Sequence, residues 1–155
     1  MLLLGEYEVA IDSKGRLLVP AGFRKQLPEG QGERFVISRG FEPCLTLYPM
    51  NTWNELANQI KQLNPFNEKV RMFKRLFLNG ATHVEVDTAG RILIPKQLQE
   101  YGGFKKELVF TGQGDKVELW DKERYYEHMQ QHSTDFPDLA NELLGGDFMN
   151  PFDKM

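Results

Sequence analysis

The sequence predicts an α+β fold, mainly β, built from one small unit written twice and folded back on itself. Three observations predict it. Short apolar and β-branched runs recur between Gly, Pro, Asn and Asp, the pattern of short strands joined by turns. Longer stretches with apolar residues at helical spacing interrupt them. Most tellingly, Val9-Ala10-Ile11, Asp12-Ser13-Lys14-Gly15-Arg16, Leu17-Leu18-Val19-Pro20 returns as Val84-Glu85-Val86, Asp87-Thr88-Ala89-Gly90-Arg91, Ile92-Leu93-Ile94-Pro95. The likeness extends to Val36-Ile37 with Val109-Phe110, and to Leu45-Thr46-Leu47-Tyr48 with Val117-Glu118-Leu119-Trp120. Trp53 falls opposite Tyr125. The spacing shrinks from 75 residues at Arg16 and Arg91 to 72 at Tyr48 and Trp120, as in a duplicated unit whose loops vary. Two copies are too few for a solenoid and suit a pseudo-twofold pair packed face to face.

Taken in order, residues 7–11 and 16–19 are strands flanking the first turn. Asp12 bonds the backbone that follows it, Ser13 and Lys14 take the central positions, and Gly15 supplies the left-handed residue of a type I turn with a Gly bulge. Pro20 ends the second strand and opens a helical turn over 22–27. Residues 34–38 and 44–48 are strands. Thr52 and Glu55 have capping-box spacing before a helix with Trp53, Leu56, Ala57, Ile60 and Leu63 on one face. Asn64-Pro65 stops it, and a second helix over 67–78 ends at Asn79-Gly80. The first program then repeats: strand 82–86, turn, strand 91–94, Pro95, a short helix over 96–101. Strands 107–111 and 116–120 follow, and Asp121 caps a helix carrying Tyr125 and Met129. A last helical candidate covers 137–144, before Gly145-Gly146 and a polar tail with Phe148 and Phe152. The domain reading is a first repeat over 5–52, a helical connector over 53–80, a second repeat over 81–124, and a C-terminal segment over 125–155.

Composition narrows the function classes. An apolar content of 41% and a charged content of 26% are those of an ordinary soluble globular protein. A net charge of −3 argues against coating nucleic acid nonspecifically, yet the charge is uneven. Lys61, Lys69, Arg71, Lys74 and Arg75 face only Glu68 in the middle, whereas acids outnumber Lys122, Arg124 and Lys154 from Asp121 onward. That asymmetry permits an anionic partner at one place. One cysteine, Cys44, excludes an internal disulfide and reads as a buried structural thiol in a reducing cytoplasm. The start Met1-Leu2-Leu3-Leu4 lacks the basic flank and length of a signal peptide or membrane span. No phosphate loop, Ser-His-Asp pattern or zinc spacing is present, so neither cofactor, metal nor small-molecule substrate is expected.

The repeated Arg is what a turn does not need. Asp and Gly alone make the turn, while Ser13-Lys14 and Thr88-Ala89 show what its centre tolerates. A guanidinium carried at a hairpin tip can fork onto guanine O6 and N7 or grip phosphate. Other readings stand beside it. Asp12 and Asp87 form a pseudo-twofold carboxylate pair of the kind that shares a proton in aspartic proteases, although Lys14 and Ala89 stand where those loops place Gly. His128 and His132 have the i, i+4 spacing of a helical metal pair, without an obvious third ligand. The basic helix over 67–78 could contact phosphate or be a solvated face.

The paired strand–DxxGR–strand–Pro–helix units and a length near 150 resemble the MraZ family, over roughly residues 1–145. The resemblance implies a swapped-hairpin barrel related to AbrB-like regulators and MazE-like antitoxins, with one chain supplying both halves as an intrachain pseudo-dimer. It implies a non-enzymatic regulator at the head of the division and cell wall gene cluster. Such proteins assemble into rings that bind direct repeats in their own promoter, in the cytoplasm at the nucleoid. Carried over by residue, Asp12, Lys14, Gly15, Arg16, Asp87, Gly90 and Arg91 are the expected DNA-binding residues. Arg16 and Arg91 would contact DNA, Asp12 and Asp87 would orient them, and the glycines would permit the turns. Lys14, whose counterpart in the other copy is Ala89, would give the first turn more phosphate contacts than the second. An antitoxin-like role, with the acidic tail engaging a toxin, is the alternative from another class.

Overall fold

The computed structural model describes residues 2–145; Phe148, Phe152 and the rest of the expected tail lie outside the described residues. Among the described residues eight strands form: β1 (Glu6–Ala10), β2 (Arg16–Leu18), β3 (Arg34–Arg39), β4 (Leu45–Pro49), β5 (Thr82–Glu85), β6 (Arg91–Leu93), β7 (Glu107–Gly112) and β8 (Val117–Asp121). The strands fall where the apolar, β-branched runs predict them.

Their partners do not. The sequence suggests that β1 and β2 pair across their turn, yet only Ile11 and Leu17 bridge there. Instead β1 pairs with β7, β5 pairs with β3, and β2 pairs with β6, all antiparallel. Each half therefore lends its first strand to the other half's sheet. The result is a six-stranded sheet in the order β1-β7-β8-β4-β3-β5, and a separate two-stranded ribbon of β2 and β6. Thr46 lies opposite Glu118, and Leu17 opposite Ile92. In both cases a residue faces its own counterpart in the other copy, so a pseudo-twofold axis passes between them. This is the intrachain swapped-hairpin pseudo-dimer.

Burial explains the ribbon's place. Leu17, Val19, Ile92 and Ile94 are almost fully buried, as are Phe23 and Leu98 from the short helices α1 (Ala21–Arg24) and α4 (Lys96–Gly102). They share one core with Phe35, Ile37, Leu108 and Phe110 of the large sheet. Phe23 meets Phe110 edge to face at 4.9 Å, a geometry that suits the aromatic quadrupole. Burying side chains of this size contributes about 1.5–3 kcal/mol each, enough to hold a two-stranded ribbon that would not persist alone.

A smaller cluster joins α2 (Met50–Lys61) and α3 (Glu68–Leu78) through Tyr48, Ile60 and Phe77, with Trp53 and Leu56 packed against it. Trp53 and Phe77 stack at 6.0 Å. The capping box does not form. Pro49 starts α2 earlier, and Thr52 Oγ1 donates to the Asp115 carbonyl at 2.8 Å. Leu63, expected on the apolar face, is exposed beyond the helix end. α3 does carry a side-chain cap, with Asn67 accepting from Lys69 N. Cys44 is buried, and burial pushes its thiol up to about 12. The chain divides into two compact units, the second beginning at Glu123. That second unit holds most of α5 (Lys122–His132) and all of α6 (Phe136–Leu144).

Candidate nucleic-acid interface

The two DxxGR turns have the same local construction. The Gly15 amide donates to the Asp12 carbonyl at 3.0 Å, and the Asp12 amide to the Arg16 carbonyl at 2.9 Å. Asp12 Oδ1 accepts from the amides of Lys14 and Arg16 at 2.9 and 2.8 Å, while Oδ2 accepts from Arg16 Nε at 2.9 Å. Asp87 repeats each bond, to Ala89 N, Arg91 N and Arg91 Nε at 2.9, 2.9 and 3.3 Å. Gly15 and Gly90 both take φ +83°, the left-handed conformation that favours Gly.

The Asp does two things here. It closes the turn, and it fixes its Arg. Among the described residues the hydrogen bonds of both guanidinium groups run through Nε alone, which leaves both terminal amino groups for an outside acceptor. Both carboxyls are held below the ordinary range, first by the backbone amide of their own Arg. Two carboxylates sharing a proton would push one value up. The dyad reading therefore fails, because each Asp is already claimed by its own turn.

Each turn docks on the opposite half. Ile94 N donates to the Gly15 carbonyl at 2.8 Å, and Val19 N to the Gly90 carbonyl at 2.9 Å. The arginines are not at the hairpin tips but are the first residues of β2 and β6. Arg16 lies opposite Leu93, and Arg91 opposite Leu18. Strand alternation sends Leu17 and Ile92 inward, so Arg16, Leu18, Arg91 and Leu93 share the outer face. Arg16 and Arg91 are diagonal neighbours there, a relation that leaves long side chains within reach of each other. Lys14 is exposed in the first turn, as Ala89 is in the second.

Sequence reasoning missed three residues at this surface. Leu18 and Leu93 stand exposed beside the arginines, and period-two alternation within β2 and β6 is the signal that could have found them. Arg24, from α1, lies against the second turn: a β carbon on Gly90 would be 3.7 Å from Arg24 Nη1. Arg24, Asp87 and Thr88 line a cavity of about 680 Å³ together with Glu33 and the ion-paired Arg34 and Glu85. The counterpart of Arg24 is the uncharged Gln99, which lies beneath Gly15 and donates to the Ile94 carbonyl at 2.8 Å. The second turn thus has a nonlocal cation where the first has Lys14. No local sequence signal links residues 24 and 90.

The other candidates are less organised. The basic residues of α3 are interspersed with the exposed Met72, Phe73 and Leu76. His128 and His132 stand 4.8 Å apart, and His132 Nδ1 lies 3.1 Å from Asp135 Oδ2. Among the described residues no cluster of three potential metal ligands exists, and no helix is long and apolar enough to cross a membrane.

The family model described as "MraZ protein, putative antitoxin-like" matches the chain twice, over residues 2–76 and 77–145. The chain is 46% identical over 146 residues to a protein of Christiangramia forsetii named transcriptional regulator MraZ, covering 94% of each. Proteins of the same name from Natranaerobius thermophilus and Desulforamulus reducens are 39% and 41% identical. Those alignments cover 94% and 92% of this chain, and 99% and 98% of theirs.

Proposed function

The chain belongs to the MraZ family, and from that premise we propose that it is a transcriptional regulator that binds duplex DNA through the outer face of the β2–β6 ribbon. One observation carries the reading. Two arginines, each gripped at Nε by its own Asp, share an exposed face of a two-stranded ribbon with their terminal amino groups unclaimed. The major groove of B-DNA admits a two-stranded ribbon, and Arg is the side chain that forks onto guanine there. Asp12 and Asp87 orient the arginines, and Gly15 and Gly90 permit the turns. Lys14 beside the first turn and Arg24 beside the second supply phosphate contacts. The greater share that Lys14 would otherwise give the first turn is thereby reduced.

The DNA is the promoter of its own gene, in the division and cell wall cluster, read as short direct repeats by a ring of identical chains in the cytoplasm at the nucleoid. Exposed Phe41, Phe73 and Leu76, which line one cavity, support assembly, since clustered exposed apolar side chains mark interaction surfaces. A chain of net charge −3 contacts DNA weakly by itself. Several ribbons on one rigid ring raise avidity by about 10²–10⁴. The repeats over 5–52 and 81–124, the connector between them and the segment over 125–155 are the divisions proposed for this assembly.

The test is a binding assay on the upstream region of its own gene with Arg16→Ala and Arg91→Ala, singly and together, and light scattering to follow assembly. Lost binding with an unchanged assembly is expected. Undiminished binding by the double variant overturns the reading. Equal affinity for one repeat and for three overturns the ring's part in it.

A further inference from the structure

Leu18 and Leu93 are 57% and 56% exposed, although their strand neighbours Leu17, Val19, Ile92 and Ile94 are all buried. Isolated exposed leucines are common and need no explanation. These two are related by the pseudo-twofold axis, and they fall on the one face that also carries Arg16 and Arg91. Across the ribbon each Arg has a Leu directly opposite: Arg16 with Leu93, Arg91 with Leu18. Leu18 also leans on the second turn, its Cδ1 3.4 Å from where a β carbon of Gly90 would stand. The outer face is therefore a square of two forked cations and two apolar knobs, on a backbone anchored by the core beneath it.

Each corner has a counterpart in the major groove. Guanine offers two acceptors to a guanidinium, and thymine offers its C5-methyl to an apolar side chain. Residues directly opposite on paired strands have β carbons about 4.5–5.5 Å apart, against a base-pair rise of about 3.4 Å. An Arg and the Leu opposite it therefore reach the same or neighbouring base pairs.

Resting on the assignment of this ribbon as the DNA-binding face, we infer that Leu18 and Leu93 are base-reading residues that recognise thymine methyl groups beside the guanines taken by Arg16 and Arg91. The leucines gain from the contact what exposure denies them: their side chains leave water against the methyl group. A phosphate contact gives an apolar side chain nothing, so the leucines act on sequence preference and leave the salt dependence of binding alone.

The test removes the methyl groups from the DNA rather than the leucines from the protein. Promoter duplexes carry deoxyuridine in place of each thymine of a repeat in turn, and binding is measured with the full chain. Wild type is expected to lose about fourfold in affinity per contacted methyl. Leu18→Ala and Leu93→Ala, whose side chains the core does not use, are expected to melt as wild type does and to bind the thymine and deoxyuridine duplexes equally at those positions. If wild type ignores deoxyuridine at every thymine while Arg16→Ala and Arg91→Ala lose binding, the leucine assignment falls and the ribbon stands. If the leucine variants keep the full methyl preference, the assignment falls as well. If the arginine variants bind as wild type, the ribbon itself falls.

Discussion

Gly15→Ala and Gly90→Ala are the same substitution at symmetry-related positions, and their surroundings make them unequal. Both glycines sit at φ +83°, where an L residue costs about 1–2 kcal/mol. At Gly90 a β carbon meets only the ends of flexible side chains, Leu18 Cδ1 at 3.4 Å and Arg24 Nη1 at 3.7 Å. Those can move aside. At Gly15 the β carbon overlaps Gln99 Nε2 and stands 3.0 Å from the Ile94 carbonyl oxygen. Those two groups are bonded to each other at 2.8 Å, and Ile94 N is also bonded to the Gly15 carbonyl. Relief therefore sacrifices a hydrogen bond, at about 0.5–1.5 kcal/mol. The expected losses are about 1–2 kcal/mol for Gly90→Ala and about 1.5–3.5 kcal/mol for Gly15→Ala. Thermal unfolding at one protomer concentration reads the difference, at about 2–4 °C per kcal/mol for a chain of this size. Equal losses, or a larger loss at Gly90, refute the claim that the contact beneath the turn sets the cost above φ alone.

Three further outcomes follow from the same geometry. Lys14→Ala and Arg24→Gln should each lower the slope of log affinity against log salt by about 1 per turn engaged, and an unchanged slope for Arg24→Gln would remove it from the DNA surface. Asp12 and Asp87 have depressed folded values, so the stability they add is complete above the unfolded value of about 3.9 and is lost as pH falls through the folded one. Unfolding scans should show their contribution full and independent of pH between about pH 5 and 8, and a weaker acid-induced loss in Asp12→Asn/Asp87→Asn; an unaltered acid limb counts against the pairing. Cys44, fully buried with its thiol pushed up to about 12, should react with a thiol reagent only as the chain unfolds, and rapid labelling of the native protein would contradict its burial.

Much of this was legible in the sequence because it is local. The Asp12-to-Gly15 turn, the helix start after Pro95 and the end of α3 at Asn79-Gly80 depend on bonds between residues a few positions apart. The capping box shows where local pattern fails. Thr52 and Glu55 have the right spacing, but Pro49 opens α2 a turn sooner, and the Thr52 hydroxyl is spent on Asp115 across the fold. The duplication, too, was plain, and with it the pairing of Arg16 with Arg91 as equivalent residues.

What equivalence means in space was decided by tertiary structure. A strand's pattern specifies which face is buried and leaves its partner open, so nothing in residues 7–19 says that β1 joins β7 or that β2 joins β6. Only the shared core beneath the ribbon, with Leu17 and Ile92 packed from opposite halves, selects that exchange. By itself the sequence determined two turns that each hold an Arg. The exchange of strands turned them into one surface, set Leu18 and Leu93 between the arginines, and brought Arg24 beneath Gly90, because long-range burial sets the pairing.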